Sequence, residues 1–383
     1  MNKRMSLLGL LLILMCLTAG CGGGGAGAEA SWDSLKSTGK MELSNASQFE
    51  VEYFEGGYSL ITIAGEDRFL LVPEDAEVPE GLDEKITVIR KPVEGLYLAA
   101  SSAMDFYRQL DCLDQVKMTS TQSSDWSFPE VVQALEDEDM LYVGKYSAPD
   151  YETIVDENCG LAIESTMIYH SPEIKEKLEK MGVPVMVERS SYETDPLGRM
   201  EWIKLYGLLC DKEEEAEKFF QEQTQQLEEV LTGEQTGKKV AFFYVSSAGY
   251  VNVRKPGDYI TKMIDMAGGT YALSDMAVEG DSAMSTLNMQ MEDFYASAHD
   301  ADILIYNSTI EGNLESLDQL YQKNKLFQEF KAVKEGNVWC TGSNMFQETT
   351  GAAQMIKDLY SVIHNDKNAA DSGLELTFLH PVK

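Results

Sequence analysis

The side chains able to do chemistry in this chain stand singly, and their types fit recognition better than catalysis. No GxSxG turn, HExxH helix or Walker loop occurs, and no GxGxxG turn follows an apolar strand. An elbow-mounted nucleophile, a helix-borne zinc pair and a phosphate-cradling glycine loop are therefore not encoded. The four histidines, His170, His299, His364 and His380, lie far apart, whereas a bare zinc or manganese ion needs several imidazoles and carboxylates at ligand spacing. No resident metal or cofactor is expected. What recurs is a set of hydroxyl, aromatic and cationic groups just beyond short apolar runs: Ser101 and Ser102, Lys145 and Tyr146, Ser165, Thr166, Tyr169 and His170, and Arg189 and Tyr192. Later in the chain come Ser246, Ser247, Tyr250, Arg254, Asn307 and the loop Ser343-Asn344-Met345-Phe346. Trp126 sits in a polar run, SSDWSF, where a core position is not the obvious reason for it. Arginine is scarce in the chain, so Arg189 and Arg254 in such loops are informative, although pairing with a nearby acid such as Glu188 or Glu193 explains either one equally well. Rings, guanidinium groups and hydroxyls together describe a pocket for a bulky ligand with anionic groups. The expected ligand-binding set is Ser101, Ser102, Trp126, Tyr146, Tyr169, His170, Arg189, Tyr192, Tyr250, Arg254 and Asn344.

These residues need a scaffold that places loops at one edge, and the apolar pattern supplies it. Tyr58–Ile63 and Phe69–Val72 flank a turn containing Gly65 and read as a hairpin. Short apolar runs then alternate with helical ones: strands at 96–99, 140–143, 161–163 and 183–187, with helices near 103–110, 150–156 and 172–181 between them. That alternation is the mark of a parallel α/β sheet, whose ligands gather where strand C-termini open into loops. Asp195 and Pro196 cap a helix through Leu209. Strands at 239–245, 250–253, 302–305 and 337–340, with helices near 258–266, 314–322, 326–333 and 351–364, repeat the pattern as a second α/β lobe.

Between the lobes, Asp211–Leu231 carries Ala216, Phe219, Phe220, Leu227, Val230 and Leu231 at helical spacing, acids in its first turns and Gly233 beyond its end. As one straight helix it spans roughly 30 Å. The expected fold is thus two α/β lobes joined by a single long rigid helix, with the ligand cleft between them. Its parts are an N-terminal lobe over 46–210, the interlobe helix over 211–235 and a C-terminal lobe over 236–383. The formal charge of −33 excludes nucleic acid and anionic lipid surfaces as partners and suits a basic protein partner.

Residues 1–20 have a short basic start, an apolar run from Leu7 to Leu17 and small residues before Cys21. The run is too short to span a bilayer and reads as a signal peptide. Thr18-Ala19-Gly20-Cys21 resembles a lipobox, with Thr18 where leucine is usual, and makes Cys21 the expected lipidated N-terminus. A Gly/Ser/Ala-rich leash over 21–45 suits a membrane tether, which places the protein on the extracytoplasmic face of the cell membrane. Cys112, Cys159, Cys210 and Cys340 contain no CxxC or zinc spacing. Export permits disulfides, Cys210 and Cys340 fit buried free thiols, and the pairing of Cys112 with Cys159 stays open.

The order of these parts resembles the substrate-binding lipoproteins of ABC importers for iron-siderophores, haem and cobalamin. The resemblance covers roughly residues 50–365. It is carried by Ala148-Pro-Asp-Tyr-Glu-Thr-Ile-Val-Asp-Glu-Asn-Cys-Gly-Leu-Ala-Ile163, by Asp195-Pro-Leu-Gly-Arg-Met-Glu-Trp-Ile203 before the acidic helix, and by Phe330-Lys-Ala-Val-Lys-Glu-Gly-Asn-Val-Trp339. Asn158-Cys159-Gly160 stands where the family has proline-aspartate before a lobe-one strand. The resemblance implies a tethered, non-enzymatic receptor whose cargo is a metal chelate, a ferric siderophore or haem, or alternatively cobalamin or another bulky ligand. It implies an ABC permease as partner, met by one glutamate on each lobe, Glu152 and Glu292. An enzyme acting between the lobes and a purely adhesive surface protein are the competing readings. Turnover of a bound compound would mark the first, and absence of a polar-aromatic cleft the second.

Overall fold

Alternation in Phe49-Glu-Val-Glu-Tyr-Phe54 puts Phe49 and Val51 on one face of a strand, and that strand belongs to a sheet preceding both lobes. The computed structural model describes residues 31–231, 233–277 and 286–383; the signal segment and Cys21 lie outside them. Five strands follow in order, β1 (Ser37–Lys40), β2 (Phe49–Phe54), β3 (Ser59–Ile63), β4 (Asp67–Val72) and β5 (Ile86–Arg90). The first four pair antiparallel, and β5 joins β4 parallel. The expected hairpin is β3–β4. Phe49, Val51, Ile61, Ile63, Phe69 and Leu71 on one face join the main core, whereas Leu60, Leu70, Val72 and Ile86 on the other form a small separate one against Trp32 and Leu35. The expected leash to residue 45 is corrected accordingly: Trp32 and Leu35 pack there, and β1 pairs with β2.

The chain then alternates through β6 (Leu96–Leu98), α1 (Met104–Gln109), β7 (Val116–Thr119), α2 (Pro129–Glu136), β8 (Leu141–Tyr142), α3 (Tyr151–Asp156), β9 (Ala162–Ser165), α4 (Pro172–Lys180) and β10 (Val185–Glu188). The sheet is wholly parallel in the order β10-β9-β6-β7-β8. Side chains alternate across it. Leu96, Leu98, Val116, Ile163 and Met186 face the main core, while Tyr97, Met118, Ala162, Val185 and Val187 face a second cluster with Ile154 of α3 and Ile174 and Leu178 of α4. Strand order reverses between β6 and β9, so the loops after these two strands flank the switch point where such sheets bind ligands.

The connection between lobes departs from the expected single rod. Asp195 caps α5 (Pro196–Glu201), its carboxylate accepting the Leu197 N–H at 2.9 Å. α6 (Ile203–Leu209) follows, Asp211 reverses the chain at a φ of 57°, and α7 (Glu213–Gln225) runs back against α6. Gly207 permits that packing, because a Cβ there would stand 2.6 Å from the Ala216 methyl. The helix expected over Asp211–Leu231 breaks after Gln225, and α8 (Glu228–Leu231) resumes beyond it. Two causes act at the break. Gln223 and Thr224 interrupt the apolar stripe, and the Thr224 hydroxyl donates to the carbonyls of Phe220 and Gln221, both at 3.0 Å, in competition with the helical ladder. The turn lets Leu227 bury completely.

Two carboxylates on this connection hold the N-terminal segment. Glu201 accepts the N–H groups of Ser44, Asn45 and Ala46 at 2.9, 2.7 and 2.8 Å. Glu193 accepts those of Ser47 and Gln48, both at 2.9 Å, and the Trp202 indole N–H at 2.9 Å. Gly198 leaves room for the crossing, since a Cβ there would meet the Asn45 carbonyl oxygen at 2.6 Å.

Lobe two runs β11 (Lys239–Val245), β12 (Val251–Arg254), α9 (Tyr259–Met266), β13 (Thr270–Tyr271), β14 (Thr286–Met289), α10 (Met291–Ala298), β15 (Ile303–Tyr306), α11 (Ser308–Glu311), α12 (Leu317–Lys323), α13 (Lys331–Lys334), β16 (Val338–Thr341), α14 (Ala352–Ile363) and β17 (Leu379–Pro381). Its sheet is ordered β14-β12-β11-β15-β16-β17, with β13 also beside β11. β11, β15 and β16 are parallel, and antiparallel strands close both sides. Phe243, Phe294, Phe327 and Phe330 pack their rings under it.

Candidate ligand-binding cleft

Side chains beyond β16 tie the C-terminal edge of the parallel strands of lobe two to that of the lobe-one sheet. Gln347 accepts the Ser127 N–H at 2.8 Å and donates to the Asp125 carbonyl at 2.8 Å. The Thr349 hydroxyl donates to the Ser102 carbonyl at 2.8 Å, and Thr350 donates through N–H and hydroxyl to the Asp105 carboxylate at 2.7 and 2.6 Å. Asp105 is itself held by Arg108. Farther back, Lys262 pairs with Asp195. Arg199, on α5, lies 4.6 Å over the Tyr259 ring of α9 and lines a cavity of about 20 Å³ with Tyr259, Met345 and Phe378, room for one water. This seam joins the two lobes.

Large apolar side chains stay exposed on the loops of both edges. Lobe one presents Tyr142, Met167 and Tyr169, and lobe two Tyr250, Ile310 and Phe346, all between 39% and 65% exposed. They lie at or just beyond the C-terminal ends of β8, β9, β11, β15 and β16, the positions at which such sheets meet their ligands. Arg189, after β10, supplies the cation: its guanidinium stacks on Tyr192 at 4.7 Å, and one nitrogen lies 3.4 Å from the Tyr169 hydroxyl. Its Nε is buried without a hydrogen-bond partner among the described residues. His170 is exposed beside Tyr169. The sheet thus brings Tyr169, His170, Arg189 and Tyr192 together on lobe one, and Tyr250 lies beyond β11 in lobe two.

Other residues expected to touch ligand have structural work. Trp126 is buried in the core, its indole N–H donating to the Thr121 carbonyl at 3.2 Å and its ring stacked on Phe128. Arg254 is a further correction. It is buried between Phe242 and Tyr259 with its guanidinium 3.6 Å from Asp258, the pairing with a local acid that its surroundings allowed. Asn344 closes its own turn, its amide donating to Glu348 at 3.0 Å. Tyr146 packs half-buried against the second cluster, and Ser102 is engaged through its carbonyl in the seam. Ser101 stands half-buried at the end of β6. The expected ligand-binding set omits Tyr142, Met167, Ile310 and Phe346; Tyr142 ends β8, and the others follow β9, β15 and β16 within five residues.

A second groove of about 520 Å³ lies between the first sheet and α7. Within it Lys204 pairs with Glu217 at 2.9 Å and the Tyr53 hydroxyl donates to Glu213 at 2.7 Å. Among the described residues no three His, Cys, Asp or Glu side chains converge on a metal position. Glu152 and Glu292 are exposed at the second positions of α3 and α10, helices that each precede a sheet strand, β9 and β15.

Comparison with known proteins agrees with this architecture. The periplasmic heme binding protein of Vibrio cholerae superposes with a TM-score of 0.56 at 16% identity, over 69% of this chain and 97% of its own. The petrobactin-binding protein of Bacillus subtilis does so with a TM-score of 0.55 at 16% identity, over 71% and 92%. An uncharacterised lipoprotein of Methanocaldococcus jannaschii is 25% identical over 320 residues, 80% of this chain and 75% of its own length. The family model for periplasmic binding proteins matches residues 107–345, leaving β1–β5 outside the match. With that match over more than half of the chain and into both lobes, the chain belongs to the periplasmic binding protein family, a ligand-binding protein and not an enzyme.

Proposed function

We propose that the protein is an extracytoplasmic, lipid-anchored receptor that captures an iron complex, haem or a ferric siderophore, and delivers it to an ABC permease. The observation that carries this reading is the set of exposed rings and thioether at strand ends of both lobes, with Arg189 placed for an anionic group. Flat aromatic faces suit a bulky, weakly hydrated complex, and an arginine suits the carboxylates or phenolates such complexes carry. Similarity to proteins named for heme and petrobactin binding supports the class of cargo, and relatives named as lipoproteins support the anchor at Cys21. Glu152 and Glu292 fit permease docking, being exposed, acidic and at corresponding places on the two lobes.

Titration of the purified protein with hemin, ferric catecholate and ferric hydroxamate, followed by visible absorbance and tryptophan fluorescence, tests the proposal. One of the three is expected to bind at micromolar concentration or tighter, and Tyr169→Ala or Phe346→Ala to weaken it by about tenfold. Failure of all three to bind, or equal affinity in both variants, refutes it.

A further inference from the structure

The cleft makes no use of the four cysteines of the body, and their placement is not uniform. α1 and α6 lie side by side, with Phe106 stacked on Tyr206 at 4.6 Å and Tyr107 edge-on to the same ring at 5.4 Å. Each helix ends in a cysteine tied back to its own tyrosine. The Cys112 N–H donates to the Tyr107 carbonyl and the Cys210 N–H to the Tyr206 carbonyl, both at 3.0 Å. A residue at positive φ stands beside each, Asp111 at 54° and Asp211 at 57°, so both chains turn away and leave the thiols at the paired helix ends. Both are buried in one core cluster, where the neighbouring Cys112 thiol, together with burial, pushes the Cys210 thiol up.

The other two thiols do not compete. Cys159 lies in the cluster under α3 and α4, across the lobe-one sheet from Cys112 and Cys210. This answers the open pairing of Cys112, whose neighbour in space is Cys210. Cys340 is in lobe two, where its sulfur accepts the Leu314 N–H at 3.4 Å.

We propose that Cys112 and Cys210 form a disulfide in the exported protein, stapling the end of α1 in lobe one to the end of α6 in the interlobe connection. The two thiols sit at neighbouring helix ends within one core cluster, and the bond brings the sulfurs to a length of about 2.05 Å. Each thiol loses its proton, the S–S bond forms, and the two electrons reduce an external disulfide to two thiols, whether oxidised glutathione in vitro or an oxidoreductase disulfide outside the membrane. Burial excludes oxidant from the finished fold, so the bond forms while the chain folds and is afterwards shielded from reductants. In the cell this rests on the extracytoplasmic placement proposed above.

The test maps free and linked cysteines in two preparations of the full chain. One is exported under its own leader; the other is refolded from the reduced state in a glutathione redox buffer. Both are alkylated in denaturant without reductant, digested and analysed by mass spectrometry. Expected are a linked Cys112–Cys210 peptide pair in both, alkylated Cys159 and Cys340, and a fall in melting temperature of several degrees on reduction. Cys112→Ala is expected to remove that sensitivity to reductant and to leave Cys210 alkylated. Alkylated Cys112 and Cys210 after refolding, or Cys112 linked to Cys159, overturns the proposal. Labelling of surface lysines on whole cells by an impermeant reagent separates the remaining case: a labelled chain with both thiols alkylated overturns the disulfide, whereas an unlabelled chain overturns the placement it rests on.

Discussion

Replacing Glu164 by glutamine should change how stability depends on pH. Glu164 projects from β9 into the cluster under α3 and α4; it is fully buried, and neither carboxylate oxygen has a hydrogen-bond partner among the described residues. Burial pushes its pKa from 4.5 up to about 8. Between those values the native state keeps a proton that the unfolded chain releases. Stability from this group is therefore complete below pH 4.5 and is lost as pH rises toward 8, at about 1.4 kcal/mol per pH unit. From pH 6 to pH 8 that amounts to about 2–3 kcal/mol. Glu164→Gln carries no ionisable proton and escapes this loss. Urea unfolding of both proteins at pH 6, 7, 8 and 9 reads the difference, and the remaining acids cancel because both proteins share them. The variant is expected to gain about 2–3 kcal/mol on the wild type between pH 6 and pH 8, and no more above. Parallel pH profiles would refute a buried, protonated carboxyl at this position.

Glu201→Ala removes the acceptor for three N–H groups of the 44–46 segment and a partner of Lys204. It is expected to destabilise by about 3–5 kcal/mol, read as a lowered urea midpoint; a loss below about 1 kcal/mol would mean the segment is held by other contacts. Reversing Glu152 and Glu292 together to lysine should abolish uptake by cells while the affinity for cargo stays unchanged. Normal uptake would remove these residues from docking, and weakened binding would move them into the cleft.

The α/β alternation of both lobes was legible because short apolar runs between amphipathic helices have few other solutions. The cap at Asp195 and the hairpin at 59–72 followed from local chemistry alone. The first sheet was half hidden. Phe49–Phe54 is interleaved with charge and Ile86–Arg90 is a short run flanked by charge, and only their neighbours in space reveal which face is inside. The break after Gln225 escaped periodicity because Phe220 before it and Leu227 and Val230 after it keep helical spacing. Position after a strand did single out Tyr169, His170, Arg189 and Tyr192, which the structure brings beside one another at one edge of lobe one. It failed for Arg254, which ends an antiparallel strand and so points away from the edge where parallel strands open. Trp126 misled for a related reason: the polarity of SSDWSF describes its neighbours, while the indole turns inward.

The grip of Glu193 and Glu201 on residues 44–48 has a consequence for how this protein tolerates change. Apart from the Ser47 hydroxyl, the carboxylates hold main-chain N–H groups, which every residue but proline possesses. Ser44, Asn45 and Ala46 are therefore free to drift in identity while the junction they form persists, so long as no proline enters. The restriction falls on the other side of the contact, where Gly198 has no space for even a methyl group. A junction read through the backbone in this way lets the first sheet and the two lobes diverge at different rates without coming apart.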